Sequence, residues 1–273
     1  MLSYAANIKE RIKLMRKITI FFLMFLFLST NAEAFSVRHD FFVTVGPFDA
    51  SRTQFTYTLN PGSYQVKSQV ATNGFFNTIY PFKAEYRTAG TIEGDKITTT
   101  DYSYTSQSRF NTRGKEVFYD ASGRPLYQIS SKNGKAKRKD FEPSPTPADT
   151  FDLQTVLAKL TRQYNLMGFC DSRLAVYDGK RRFDVIFRDI GTETLEPAEH
   201  SFYAGEAAKC SMQINKLLSE DDDSLWEFSA NKPVWFWIAR DDKTGRPFIA
   251  RVRIDDTPLG ELNAYTTAIT VED

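Results

Sequence analysis

The sequence predicts a mainly β fold, in which a curved antiparallel sheet packs on one amphipathic α-helix. Two observations carry this prediction. From Phe35 onward, apolar side chains recur at every second position, which is typical of strands with one buried face. One segment, at about residues 149–167, instead repeats its apolar side chains with the period of a helix. A helix with one apolar stripe needs a surface to cover it, and a curved sheet is the partner available.

The first 34 residues have the three parts of an export signal. Basic residues precede an apolar run from Ile18 to Leu28, and Ala32-Glu33-Ala34 matches a small-x-small cleavage site. At a rise of about 1.5 Å per residue this run spans only about half of a ~30 Å hydrocarbon core, so a stable transmembrane anchor is not expected. The sequence therefore predicts a cleaved signal peptide at 1–34, a single domain at 35–273 and a periplasmic location.

The chain after the predicted cleavage site is nearly neutral. Residues 1–34 carry five of the 35 basic and two of the 34 acidic side chains, which leaves 30 basic and 32 acidic residues. Phosphate neutralisation needs a concentrated cationic surface, so nucleic acid is not an expected partner. The remaining length is enough to bury roughly 70–75% of the surface of the unfolded chain.

Turn residues divide the first half of the mature chain into a meander of about seven strands. Alternation is clearest in residues 35–45, 55–59, 64–70 and 98–104. A proline-rich connector at 142–149 ends the meander. The turn signals between the strands are Asn60-Pro61-Gly62, Asn73-Gly74, Glu93-Gly94-Asp95, Asp120-Ala121-Ser122-Gly123 and Asn133-Gly134.

The helix that follows is predicted from its spacing and its ends. Asp149 or Asp152 is the expected N-cap, and Gly168 is the expected stop. The apolar stripe consists of Leu153, Val156, Leu157, Leu160, Tyr164 and Met167.

Two hairpins dominate the second half. In CDSRLAVYDGKRRFDVIF, residues 170–187, Asp178-Gly179 fits a two-residue type I′ turn. The next strand is expected at 200–212. The hairpin at 233–254 begins with VWFWI, which is apolar on both faces and therefore typical of a strand that is covered by two layers or lines a cavity.

If this strand lines a cavity, its aromatic side chains and those of the first hairpin are candidate ligand-lining residues. Trp235 and Trp237 share one face of their strand, and Phe183 and Phe187 share a face of theirs. The alternative, in which VWFWI is a packed central strand beneath the helix, is the commoner use of such a run.

Two cysteines, Cys170 and Cys210, lie in the exported part. An even count in an oxidising compartment predicts one disulfide, which would fasten the exit of the helix to the sheet. The alternative is a thiolate at Cys170 with His200 or His39 as its base, but a paired thiol cannot act as a nucleophile. His39, on an apolar strand face, is interpreted as a hydrogen-bonded core histidine.

No catalytic, cofactor or metal site is expected. The histidines and cysteines have no zinc spacing, and the acidic segment SEDDDS at 219–224 lacks the glycine and spaced oxygens of a calcium loop. Glu193, Glu196 and Glu199 could hydrolyse a glycoside if one carboxyl group were buried, but their polar surroundings indicate an exposed loop.

The densest basic run is KAKRK at 135–139. A solvated loop is the simpler interpretation. In an exported protein, Lys135, Lys137, Arg138 and Lys139 would otherwise contact anionic lipid headgroups.

The chain resembles exported bacterial proteins of the domain of unknown function 3108 family. The resemblance is carried by the GTIEGDKI strand pair at 90–97, by the helix DTFDLQTVLAKL at 149–160, and by Cys170 with the VYDGKRRFDV hairpin and Cys210. It implies an open or spiral β-barrel around one helix, similar in outline to periplasmic carriers of lipid or lipoprotein, and it supplies no catalytic residues.

Three functions follow as hypotheses. The first is a non-enzymatic envelope protein that binds a hydrophobic or amphiphilic ligand between helix and barrel wall. The second is a packed scaffold that binds an envelope protein or peptidoglycan, and the third is a glycoside hydrolase that uses the acidic loop. The first two differ in whether the interior is full, while the oligomeric state has no signal in the sequence.

Overall fold

The fold was analysed in a computed structural model, which describes residues 34–94, 96–141, 152–177, 181–219 and 232–272. The segment Ala34–Asp273 forms one compact unit. The predicted signal peptide, the proline-rich connector, the alternative N-cap Asp149 and the predicted Asp178-Gly179 turn lie outside the described residues, as does almost all of the acidic segment.

Eight strands and one short helix come before the long helix. Asn60-Pro61-Gly62, Gly94 and Asn133-Gly134 join consecutive strands as the sequence predicts. The elements are β1 Phe35–Val45, β2 Phe48–Asn60, β3 Ser63–Thr72, α1 Gly74–Ile79, β4 Phe82–Glu93, β5 Lys96–Ser108, β6 Thr112–Tyr119, β7 Pro125–Lys132 and β8 Lys135–Asp140.

The long helix and six further strands complete the fold. They are α2 Leu153–Met167, β9 Ser172–Tyr177, β10 Arg181–Leu195, β11 Gly205–Ser219, β12 Val234–Arg240, β13 Pro247–Thr257 and β14 Gly260–Glu272. None of the helices in the described part of the chain has both the length and the hydropathy that crossing a bilayer requires.

All fourteen strands that the described residues form belong to one antiparallel sheet. Its order is β8-β7-β6-β5-β4-β3-β2-β1-β14-β13-β12-β11-β10-β9, so nearly every strand pairs with its neighbours in sequence. The exception is the pairing of β1 with β14, which aligns Val37 with Val271. This pairing joins the two meanders, and the sheet stays open between β8 and β9. The predicted fold class, an open antiparallel β-barrel around one helix, is confirmed.

The two open edges of the sheet approach each other at one end. Phe141, directly after β8, places its ring edge-on to Tyr177 at the end of β9, with ring centroids 5.7 Å apart. Side chains rather than a strand pairing therefore connect β8 to β9 among the described residues.

The first meander has eight strands where the sequence predicts about seven, and one predicted turn is wrong. Asn73-Gly74 does not form a two-residue hairpin loop but opens α1. Phe75 and Phe76 of that helix contact Phe48 with ring centroids 5.3 and 6.1 Å apart. This aromatic contact favours a connection between β3 and β4 that is longer than a two-residue turn. By contrast, Asn133 and Gly134 both have positive φ angles, 50° and 80°, as a type I′ turn requires.

The strand expected at 200–212 is displaced along the chain. It begins at Gly205 and continues to Ser219, so that Cys210 lies near its middle rather than near its end. Residues 196–204 form a connection outside the sheet instead, in which Phe202 N donates to the Thr266 carbonyl at 3.1 Å.

The boundaries of α2 agree with the capping signals. The Asp152 side chain accepts hydrogen bonds from the Gln154 and Thr155 amides, and Gly168 ends the helix in the left-handed conformation with φ 77°. Gly168 N donates to the Tyr164 carbonyl at 2.9 Å. Helix propensity alone does not hold α2, because the sheet surrounds it on more than one side.

Three apolar clusters fill the fold. One lies between α2 and β9–β12 and contains Val156, Leu160 and Phe187. A second packs Ala158, on another face of α2, against Tyr57 and Tyr64. The third, around Trp237, lies on the outer side of β11–β13. The helix is therefore fixed between the two halves of the sheet, and a space remains beside it.

Candidate functional site

The candidate site is a cavity of about 470 Å³ between α2 and the inner face of the sheet. Period two in the strands directs every second side chain inward, so ten strands contribute to its wall. A cavity of this volume lies in the range of small-molecule sites. Its walls are formed by His39, Phe41, Val43, Thr53, Phe55, Ser68, Val70, Tyr86, Tyr102, Phe187, Met212, Val234, Phe236, Ile238, Pro247, Phe248, Ile249, Val252 and Ala264, with Leu153, Gln154, Leu157, Leu160 and Thr161 from the helix.

The cavity wall is apolar and lacks charge. Of the lining residues that the structure describes, none is Asp, Glu, Lys or Arg. The polar contribution comes from hydroxyl groups, one amide and one imidazole. Such a lining suits an apolar ligand and provides no counter-ion for an ionised group.

His39 is the exceptional group in the wall. It is 7% exposed, and its Nδ1 atom is buried without a hydrogen-bond partner among the described residues. Its ring stacks on Phe41 at 6.1 Å and meets the edge of Phe55 at 6.2 Å. Burial lowers the pKa of His39 to about 4, against a smaller opposing effect of Asp40. The imidazole is therefore neutral at pH 7, and the expected hydrogen bond of a core histidine is not present at Nδ1.

A buried polar network fastens the start of α2 to the first meander. Asp152 is 2% exposed, and its carboxylate accepts from the Thr88 hydroxyl at 2.8 Å and from the Thr99 hydroxyl at 3.3 Å. The Thr155 hydroxyl also donates to it. Burial raises the pKa of Asp152, while hydrogen bonds from Thr155 and Thr88 act in the opposite direction. The network orients the helix over β4 and β5.

Tyr64 extends this network across the sheet. Its hydroxyl lies 2.8 Å from Thr155 Oγ1 and 3.3 Å from Thr99 Oγ1. The ring lies so close to Gly90 that a Cβ there would be 2.4 Å from a ring carbon. Glycine at position 90 is therefore required for Tyr64 to reach the helix.

The other end of α2 is fastened to the second meander. Arg240 Nη2 donates to the Tyr164 carbonyl at 3.4 Å, where a cation also complements the helix dipole. Beyond Gly168, Cys170 and Cys210 lie at disulfide distance and are paired, with Cα atoms 6.3 Å apart. Both ends of the helix are thus held against opposite halves of the sheet, which keeps one wall of the cavity in place.

The aromatic residues named from the sequence divide between two faces. Phe187 lines the cavity and meets Phe236 edge-on with ring centroids 5.8 Å apart. Phe183 belongs to the packed cluster between helix and sheet and does not line the cavity. Trp235 and Trp237 belong to the outer face, so Val234, Phe236 and Ile238 are the residues of β12 that line it.

Cationic side chains cover the two tryptophans on the outer face. Trp237 is 0% exposed, and Lys209 Nζ and the guanidinium groups of Arg251 and Arg253 each lie about 5.5 Å from its ring centroid. Trp235 Nε1 donates to Asp255 Oδ2 at 2.8 Å. The prediction that Trp235 and Trp237 line the ligand site is therefore corrected.

The sequence of the neighbouring strand β13 contains a signal that identifies which residues of β12 face inward. Arg251 pairs with Trp237 and Arg253 with Trp235. Charged cross-strand neighbours indicate the outer face of a sheet. No comparable signal identifies Ile249, because a register shift between Trp237 and Ile238 turns it inward.

Glu193 lies in β10 rather than in the expected loop, Glu196 and Glu199 follow that strand, and the three do not have the electrostatics of a glycosidase. Glu196 and Glu199 are exposed, and Glu193 accepts a hydrogen bond from Lys209 Nζ at 2.6 Å. This bond and the charge of Lys209 lower the pKa of Glu193, whereas a general acid requires a raised one. These three carboxylates therefore do not support the hydrolase hypothesis.

The basic run forms the edge strand β8 rather than a loop. All six residues of β8, Lys135–Asp140, are exposed. Arg138 Nε donates to Asp140 Oδ1 at 2.9 Å, and its guanidinium lies 3.9 Å from the ring centroid of Tyr127. Lys135, Lys137 and Lys139 alternate with it on the other face of the strand.

Within the described residues, one set of potential metal ligands lies close together, namely Cys170, Asp189 and Cys210. Since its two sulfur atoms form the disulfide, this set has no thiolate to offer a metal ion. For the same reason Cys170 is not available as a nucleophile.

The fold and the cavity define a class of protein, an open antiparallel β-barrel that encloses one helix and an apolar interior. Within this class, the chain belongs to the family described as protein of unknown function (DUF3108), whose model matches residues 34–267. The resemblance seen in the sequence is thereby confirmed. No protein in the curated set that was searched matches the chain.

Among solved structures, the chain is similar to a β-barrel-like protein of the domain of unknown function DUF1849 from Brucella abortus. The sequence identity is 7%, the alignment covers 88% of this chain and 98% of that chain, and the TM-score is 0.48.

Proposed function

We propose that this protein is a non-enzymatic protein of the periplasmic cell envelope, which binds a hydrophobic or amphiphilic ligand between α2 and the barrel wall. The observation that carries the proposal is the uncharged cavity of about 470 Å³. A fully packed scaffold would fill this space with side chains, since protein interiors are packed without large voids. The export signal predicted at 1–34 supports the periplasmic location.

The helix attachments support binding rather than collapse of the cavity. Asp152 fixes one end of α2 to β4 and β5, while Arg240 and the disulfide fix the other end to the second meander. A helix held at both ends cannot move inward to fill the space without breaking these contacts. The cavity is therefore preformed, which reduces the ordering that a ligand must impose.

The test is native mass spectrometry of the protein purified from periplasm without detergent, followed by organic extraction. We expect an added mass of lipid size. Ala264 lines the cavity, so Ala264→Leu should reduce the fraction of protein that carries this mass. Ala121→Leu, at an exposed turn that lines no part of the cavity, is the control and should leave that fraction unchanged.

Two outcomes would count against the proposal. One is a clean apo mass in every preparation, together with no uptake of added lipid. The other is an equal loss of the added mass in both leucine variants. Either result would favour the packed scaffold with an envelope protein or peptidoglycan as partner.

A second candidate function is contact with anionic lipid headgroups along β8. The observation that favours it is the complete exposure of this edge strand, which carries Lys135, Lys137, Arg138 and Lys139. Co-sedimentation with phosphatidylglycerol vesicles should fall when the three lysines are changed to glutamate, because each basic residue near an anionic surface contributes about 1 kcal/mol. Phosphatidylcholine vesicles are the control. Equal sedimentation of the wild type with both lipids would reject this function.

A further inference from the structure

Among the described residues that line the cavity, one buried nitrogen has no hydrogen-bond partner. His39 Nδ1 is buried, and the aromatic side chains of Phe41 and Phe55 lie beside its ring. An unpaired buried polar atom destabilises a fold, and its presence in a native structure calls for an explanation. His39 lines the cavity, but Nδ1 has less than 1 Å² of accessible surface, so the ring must turn for a ligand in the cavity to supply the missing bond.

We propose that His39 is the hydrogen-bonding anchor of the cavity, and that its ligand is an uncharged single-chain amphiphile whose hydroxyl group bonds Nδ1. This inference rests on the proposed function, since it assumes that the cavity is occupied. It adds the chemistry of the polar end of the ligand and the residue that recognises it.

The lack of charge in the cavity wall selects an uncharged head group. The described lining residues include no Arg or Lys, so an ionised carboxylate or phosphate placed beside His39 would be buried without a counter-ion. The lowered pKa of His39 means that the imidazole itself does not provide the positive charge at neutral pH. A hydroxyl group both donates and accepts, so it can bond Nδ1 in either tautomer of a neutral imidazole.

The size of the cavity selects one chain. A methylene group occupies roughly the volume of a water molecule in the liquid, about 30 Å³. A cavity of about 470 Å³ therefore matches a single chain of about fifteen carbons.

The experiment compares three six-carbon probes on the full mature protein: 1-hexanol, n-hexane and hexanoate at pH 8. Affinities are measured in the wild type and in His39→Phe by chemical-shift titration. The ratio of the affinity for hexanol to that for hexane should fall about tenfold in His39→Phe, since one hydrogen bond to a buried atom is removed. In the wild type, hexanoate should bind at least about tenfold more weakly than hexanol.

Two controls separate a hydrogen bond from a change of shape. Met212→Leu also alters the cavity wall, on a strand away from His39, but it should change the affinities for hexanol and hexane in parallel and leave their ratio unchanged. In wild-type protein labelled with ¹⁵N in histidine, hexanol should shift the ring nitrogens of His39 and leave those of His200 in place. The ¹⁵N measurement uses only the wild-type protein, so it tests whether hexanol bonds His39 even if His39→Phe does not fold.

The outcomes distinguish this inference from the proposed function. If hexane and hexanol bind, but their affinity ratio is the same in both proteins and the His39 nitrogens do not respond, His39 is not the anchor and the apolar site remains. If hexanoate binds as tightly as hexanol, the uncharged head group is wrong. If none of the probes binds, both proposals fail.

Discussion

His39 and Asp152 show that two buried polar side chains can have opposite environments within one interior. The Asp152 carboxylate accepts hydrogen bonds from Thr88, Thr99 and Thr155 and from two backbone amides. His39 Nδ1 accepts and donates none among the described residues. The first side chain therefore contributes to stability through its bonds, whereas the second lowers stability.

The neutral state of His39 makes stability depend on pH. Its pKa is about 4 in the folded protein and about 6.5 in the unfolded chain, so the unfolded state binds more protons between these values. Above pH 6.5 the imidazole is neutral in both states and the free energy of unfolding is not reduced by protonation. As the pH falls from 6.5 toward 4, the unfolded chain takes up a proton and the free energy of unfolding decreases. We expect this residue to account for about 3 kcal/mol of the lost stability.

Urea unfolding at pH 7.0, 5.5 and 4.0 measures this effect. The difference in stability between His39→Phe and the wild type should shift in favour of the variant as the pH falls, because phenylalanine does not titrate. Met212→Leu, which removes no titratable group, is the control, and its difference from the wild type should not depend on pH. A pH-independent difference for His39→Phe would contradict the prediction.

The Asp152 network makes a second prediction. Asp152→Ala removes the N-cap of α2 and leaves three threonine hydroxyls without their common acceptor, so it should destabilise the protein by about 3 kcal/mol. Thermal and urea unfolding measure the loss. Asp152→Asn retains an acceptor and should lose less, while Asp242→Ala, at an exposed site, should lose little. Similar values for Asp152→Ala and Asp242→Ala would show that the network is not needed.

Among the secondary-structure elements, α2 depends on the disulfide at its exit. Cys170 and Cys210 are 40 residues apart, and closing such a loop stabilises a fold by about 4 kcal/mol on the chain-entropy estimate. The double variant Cys170→Ala/Cys210→Ala should therefore have a lower Tm than the oxidised wild type. Adding a reductant should lower the Tm of the wild type and leave that of the variant unchanged. Alkylation of both thiols in the non-reduced protein would contradict the pairing.

The sequence predicts the elements better than it predicts which faces they bury. The period of α2, the cap at Asp152 and the stop at Gly168 are local signals, and the structure agrees with them. The β12 strand is apolar on both faces, so period two cannot show whether Trp235 or Phe236 points inward. Only the paired strand, with Arg251 and Arg253 beside the tryptophans, resolves this.

The candidate site itself is beyond the reach of sequence alone. A cavity is a volume that side chains fail to fill, and it depends on the positions of ten strands at once. His39 appears in the sequence as one polar residue on an apolar face, a pattern that equally fits a satisfied core histidine. Its unpaired Nδ1 becomes visible only when its neighbours, Phe41 and Phe55, are placed around it.

At the scale of the whole molecule, one long-range strand pair unites the sheet. The pairing of β1 with β14 joins residues more than two hundred positions apart, such as Val37 and Val271. Without β14, the edges of both β1 and β13 would be unpaired, and exposed strand edges promote aggregation.

A deletion tests the importance of this pair. Removing residues 260–273 should abolish cooperative thermal unfolding and produce aggregates in size-exclusion chromatography. Removing only residues 271–273 deletes the pairs at the end of the β1–β14 ladder. This shorter deletion should leave a folded protein that elutes like the full chain. A cooperative transition in the longer deletion would show that the two meanders fold independently.

The open boundary between β8 and β9 gives the barrel a mechanical property that a closed barrel lacks. A closed barrel has a circumference set by its strand number and stagger, and widening it breaks main-chain hydrogen bonds. Here the contact between Phe141 and Tyr177 spans the boundary, so separating these rings widens the barrel while the described strand ladders stay intact. The sheet can therefore open along this line without the loss of any strand pair among the described residues.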